Sequence, residues 1–132
     1  MKILFTYLIS IAIFFAIDMV WLGLIARNFY KEKLGFILSG HVNWAAAIVF
    51  YLLYIGGILY FAVLPALKDS NWQTALFNGA ILGLVCYATY DLTNMATINK
   101  WPLIVVIVDI VWGIILTGSV AALTYLSAGK WL

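Results

Sequence analysis

Four apolar runs, at roughly 3–26, 43–66, 73–93 and 102–127, take up most of this 132-residue chain. Each reaches the ~20 residues an α-helix needs to cross the hydrocarbon of a bilayer. The expected fold is all-α: an integral membrane four-helix transmembrane bundle, folded as a single transmembrane domain over 1–132. Composition agrees, with 67% hydrophobic and 9% charged residues and a mean hydropathy of +1.11, against roughly half and a quarter in soluble domains. A net charge of +2 leaves too few charges for a nucleic-acid footprint, so the expected partner is the lipid bilayer and not nucleic acid. Cys86 is the single cysteine; it excludes an intrachain disulfide and makes thiolate metal binding a poor expectation.

The N-terminal run has one lysine before its apolar stretch, as a signal peptide does. It is read as a retained first span, because it is long, carries Asp18 and Trp21, and has no A-x-A cleavage site. Signals at the run ends support helices. Asn43 suits the cap of the second, Ser70-Asn71-Trp72-Gln73 has capping-box spacing before the third, and Pro102 suits the first turn of the fourth. Trp44, Trp72, Trp101 and Trp131 fall at predicted ends, where indoles favour the headgroup region. Between the first two runs, Tyr30, Leu34, Ile37 and Leu38 lie on one face of a short surface helix, opposite Lys31 and Glu32; an ordered loop is the alternative. Lys2, Lys68 and Lys130 fall on one side of the membrane and Arg27, Lys31, Lys33 and Lys100 on the other, so charge counting fixes no orientation.

Buried acids carry the functional signal. The tetrapeptide DMVW at 18–21 returns as DIVW at 109–112, in the first and last runs. Counting inward from loops one and three puts both carboxylates about 10–12 Å below the same membrane face. Asp91 belongs to that face too, nearer the surface, and Tyr51 and Tyr87 reach about 9–12 Å depth on the other two helices. Asp18 with Trp21, and Asp109 with Trp112, are spaced i, i+3 and share a helix side. The third run carries Ala75, Gly79, Gly83, Tyr87 and Asp91 at every fourth position, and the fourth carries Asp109, Gly113, Thr117 and Ala121. Small residues so spaced let neighbouring backbones approach, which makes these stripes the expected bundle interior.

An ionised aspartate near a helix centre costs on the order of 2.5–3.5 kcal/mol, and no lysine or arginine lies inside a run to offset it. The acids are therefore expected to be protonated, to share one proton, or to hold a cation from outside the chain. The segments DMVWLG, YATYDLTN followed by WP, and DIVWG, taken in order along nearly the whole chain, resemble the bacterial membrane proteins grouped as domain of unknown function 2177. That resemblance implies a small multispan protein of the bacterial inner membrane and implies no activity or cofactor.

From the residues, the leading reading is proton or cation binding in a transport or channel role, in a subunit that works as a homo-oligomer. Asp18 and Asp109 form the site, Tyr51 and Tyr87 donate to it, and Asp91 with His41 stands at its entrance. Trp21, Trp112, Thr93 and Asn94 are accessory. A structural clamp of neutral acids is the plainer account of the same residues. For DLTN at 91–94, helix termination competes with cation ligation by its carboxylate, hydroxyl and amide oxygens. An apolar-ligand or lipid-binding protein is one alternative. A lipid-directed acid/base or metal enzyme is the other, and it is disfavoured by the absence of a nucleophile beside a base, an H-E-x-x-H helix or a phosphate-binding motif.

Overall fold

The computed structural model describes residues 2–38 and 41–129. Trp131 and Lys130 lie outside the described residues. Six α-helices follow in order: α1 (Lys2–Val20), α2 (Arg27–Leu34), α3 (Trp44–Ile58), α4 (Leu64–Asp69), α5 (Trp72–Thr97) and α6 (Leu103–Gly129). A π-helical turn at Trp21–Ile25 extends α1, and another at Leu59–Val63 joins α3 to α4. The four spans are thus Lys2–Ile25, Trp44–Asp69, Trp72–Thr97 and Leu103–Gly129, a four-helix transmembrane bundle.

Local chemistry sets the helix ends. Asn43 caps α3, its Oδ1 accepting from the Ala46 N–H at 3.1 Å. The cap of α5 is Asn71 rather than Ser70, with Oδ1 accepting from the Gln73 N–H at 2.9 Å. Ser70 instead closes α4 in the left-handed region at φ 54°. The third span runs four residues past its expected end. The Ile98 N–H still reaches the Asn94 carbonyl at 2.8 Å, so Asn94 lies within the helix and does not terminate it. The chain then turns through Lys100 at φ 65° to Trp101, where Pro102 disfavours helical backbone in the residue before it.

Proline also accounts for an interhelical tie. Pro65 has no N–H to give the carbonyl four residues back, Phe61, and that carbonyl accepts from Asn78 Nδ2 of α5 at 3.2 Å. Asn78→Leu should therefore lower thermal stability in detergent by about 1–3 kcal/mol, the cost of a carbonyl on the apolar surface of a span left without its partner. An unchanged melting curve would show the bond to be dispensable.

At the centre of the bundle, α6 packs against α1, α5 and the second span. Its stripe of Asp109, Gly113, Thr117 and Ala121 is buried, as are Ala75, Gly79, Gly83 and Asp91 of α5. The two backbones nearly touch: a Cβ on Gly79 would lie 2.7 Å from the Thr117 carbonyl oxygen. Between the second and fourth spans, Tyr54 and Thr117 share a hydroxyl hydrogen bond of 2.6 Å. The second span meets α5 mainly through its π turn and α4, while α3 leans on α1. A cleft is left between α3 and α5, at the end of the bundle that carries the acids.

Candidate functional site

The first span buries Thr6, Ser10, Phe14 and Asp18, one residue per turn along a single face. The π turn that follows adds a residue to the helical turn and re-aims the chain. Trp21 thereby stacks on Trp112 of α6, with ring centroids 4.5 Å apart and planes 11° apart. Side chains tilt toward the N-terminus of their helix, and these helices are antiparallel, so the two indoles lean toward each other.

The repeated tetrapeptide is wired crosswise. The Trp112 side chain of the fourth span faces the Asp18 carboxyl of the first. Trp21 Nε1 of the first span donates to the Tyr30 hydroxyl at 3.3 Å. Tyr30 in turn donates to Asp109 Oδ1 of the fourth. Tyr30 is delivered by α2, which folds back against the bundle so that Leu34 packs with Trp101, Val105 and Val106. Burial, and after it the Asp109 carboxylate, hold the Tyr30 hydroxyl above the usual phenol range. A raised value means that the bond is fully present below the ordinary phenol value and is lost only as pH rises through the higher one, so Tyr30 stays a donor at neutral pH.

The acid facing Asp109 is Asp91. It sits about 9 Å from the end of α5, deeper than the entrance position expected of it, because the helix continues to Thr97. Asp91 has 0% exposure. Trp101 Nε1 also faces its carboxyl, yet neither carboxyl oxygen nor that indole nitrogen completes a hydrogen bond. Trp101 departs from the headgroup level expected of an indole at a helix end. It turns inward instead, edge-on to Tyr90 at 6.1 Å, while Trp44 and Trp72 are exposed.

Other candidates fall around this core. Tyr51 and Tyr87 line the same cleft as Asp18 and Asp109, and Tyr87 lies within electrostatic range of both acids. Among the described residues, the phenol that donates to an acid is Tyr30, which the sequence marks only as part of an apolar helix face. Thr93 is exposed while Asp91 is buried, so DLTN does not gather its oxygens on one side of the helix. Asn94 is directed toward Tyr90. His41 is exposed at the loop side, away from the cleft lining.

A family model described as a predicted membrane protein, DUF2177, matches residues 3–126. The chain belongs to that family. No curated protein and no solved structure matches it. The DUF2177 match reaches from the first span to the last and takes in Asp18, Asp91 and Asp109 together. In this bacterial multispan protein, the cleft holding the first and last of those acids measures about 280 Å³. A neighbouring cavity of about 380 Å³ is lined by Phe50, Tyr54, Cys86, Tyr87 and Tyr90. The two share Phe50, Tyr87 and Tyr90.

Proposed function

We propose that this DUF2177 protein binds protons within the bilayer, in a transport or channel role, at a carboxyl pair formed by Asp91 and Asp109 with Asp18 close by. The observation that carries the reading is Asp91: wholly buried, turned toward a second carboxyl, and without a completed hydrogen bond. A lone carboxylate there would be charged, desolvated and unpaired, each of which is costly in a membrane interior. One proton on the pair removes the difficulty. Asp91 then becomes a donor to Asp109, which stays ionised and accepts from Tyr30 as well.

A proton suits these residues better than a metal ion. Among the described residues, no three His, Cys, Asp or Glu side chains are grouped as metal ligands. The tryptophan pair gives the proton site a readout, since Trp21 reaches Asp109 through Tyr30 and Trp112 faces Asp18. Four helices enclose little space, which favours a homo-oligomer as the working unit, and the bacterial inner membrane is the fitting location.

The test is a pH jump on protein reconstituted in vesicles, with tryptophan emission recorded. Wild type should respond, and Asp91→Asn and Asp109→Asn should each fold and lose the response. Persistence of the response in both variants would overturn the assignment.

A further inference from the structure

The acidic cleft adjoins an aromatic cavity, the two sharing Phe50, Tyr87 and Tyr90 as lining. Phe50 and Tyr90, at its mouth, are 48% and 57% exposed. Both lie within spans, so what they are exposed to is lipid. The floor is different: Asp18 and Asp109 present carboxyls there and are only 6% and 8% exposed. A molecule entering between α3 and α5 would pass aromatic rings and end at two acids.

Charge decides which molecules fit. The carboxyls at or behind the floor are Asp18 from α1, Asp109 from α6 and Asp91 from α5. The phenols around them are Tyr30 from α2, Tyr51 and Tyr54 from α3, and Tyr87 and Tyr90 from α5. Among the described residues that line the two cavities there is no lysine, arginine or histidine. Aromatic faces attract cations, more strongly where water is excluded, and buried carboxylates require a counter-charge. Anionic headgroups meet no positive partner here. Zwitterionic lipids would bring a phosphate to the same two acids. The aromatic cavity, at about 380 Å³, lies at the small end of the ~300–1,000 Å³ usual for small-molecule pockets, and the acidic cleft, at about 280 Å³, just below it.

We infer that the cleft between α3 and α5 admits from the bilayer a small amphiphilic organic cation, whose charge rests at Asp18 and Asp109 and whose apolar part lies against Phe50, Tyr54, Tyr87 and Tyr90. The inference builds on the proton reading and gives it a cargo. With Asp91 behind Asp109 and outside the cleft lining, a cation arriving at the floor supplies the charge that the shared proton had supplied. Binding and proton release are therefore coupled.

Tetraphenylphosphonium is the probe, because it is permanently charged and has no proton of its own. Binding to the full chain in nanodiscs is measured by tryptophan quenching against pH. Saturable binding is expected, weakening as pH falls. Asp18→Asn should weaken it at least about tenfold, or about 1.4 kcal/mol. Cys86→Phe, which fills the aromatic cavity without touching an acid, should weaken it comparably.

No binding by a wild type that still answers the pH jump would overturn the inference and leave the proton reading standing. Cation binding, unchanged by pH, in a wild type that does not answer the pH jump would overturn the proton reading and the coupling with it, and leave a cation site alone. Equal displacement by an uncharged amphiphile, with no pH dependence, would make the cleft a lipid site and also overturn the inference.

Discussion

Gly83→Val should break the contact between the third and fourth spans and produce the largest stability loss of any single substitution in the bundle. A Cβ at Gly83 would overlap the carbonyl of Gly113 and come within 2.9 Å of Thr117 Oγ1. Backbone lies on both sides of that contact, so no rotamer change relieves it. The helices must move apart, and with them Tyr87, whose ring lies across Gly113, and Thr117, which holds Tyr54 at 2.6 Å. Overpacking costs about 1–3 kcal/mol in cores that can relax; a crossing of two backbones should reach or exceed the top of that range. Gly57→Ala is the control, since nothing lies within 4 Å of a Cβ there. Thermal unfolding in detergent should separate the two variants clearly. Equal melting temperatures would mean that α5 and α6 do not cross where they are placed.

That crossing was legible in the sequence for a physical reason. Small residues every fourth position leave a groove, and a groove has one use in a medium where burial of apolar surface drives nothing. The span count and the Asn43 cap were legible on similar local grounds. The first-span stripe of Thr6, Ser10, Phe14 and Asp18 could have been found by the same rule, from small hydroxyl residues four apart. Tyr30 could not. Its partner Asp109 lies 79 positions away, and the return of α2 against the bundle depends on tertiary packing around Leu34 and Trp101. Asp91 lies deeper than its sequence context suggests because Thr93, Asn94 and Thr97 are polar enough to end a helix, yet they continue one. Hydroxyl-to-carbonyl bonds such as Thr97 Oγ1 to the Thr93 carbonyl, at 2.9 Å, satisfy these side chains without breaking the helix.

The crosswise wiring explains why the tetrapeptide recurs. A tryptophan three residues beyond an aspartate shares its helix side, and on antiparallel neighbours the two tryptophans meet. Each then leans into the polar partners of the opposite helix: Trp112 at Asp18, and Trp21 at the Tyr30 that serves Asp109. Common ancestry of the two segments is unnecessary. A clamp and a proton site predict this same geometry, so the two must be separated by energetics.

Asp91→Leu should stabilise the protein, and Asp109→Leu should destabilise it. At Asp91, replacement by an apolar side chain of similar volume removes a desolvated carboxyl that completes no hydrogen bond in the structure; the proposed donation to Asp109 goes with it, but Asp109 keeps the Tyr30 hydroxyl as its donor. The expected gain is at most about 2 kcal/mol, the ~1–3 kcal/mol penalty of a desolvated group less the net ~1 kcal/mol of that one hydrogen bond. At Asp109, the same change removes the acceptor of the Tyr30 hydroxyl, which also anchors Trp21 Nε1. Removing the charged partner of a hydrogen bond costs about 1.5–3 kcal/mol, and the fold-back of α2 should loosen with it. The two leucine variants should therefore melt on opposite sides of wild type, although both lose the pH response. A chain that keeps an acid at the expense of its own stability keeps it for function, as strained and unsatisfied groups commonly are at active sites. Were Asp91 a structural clamp, Asp91→Leu would instead melt well below wild type, and the proton pair would have to be abandoned as the reason for its burial.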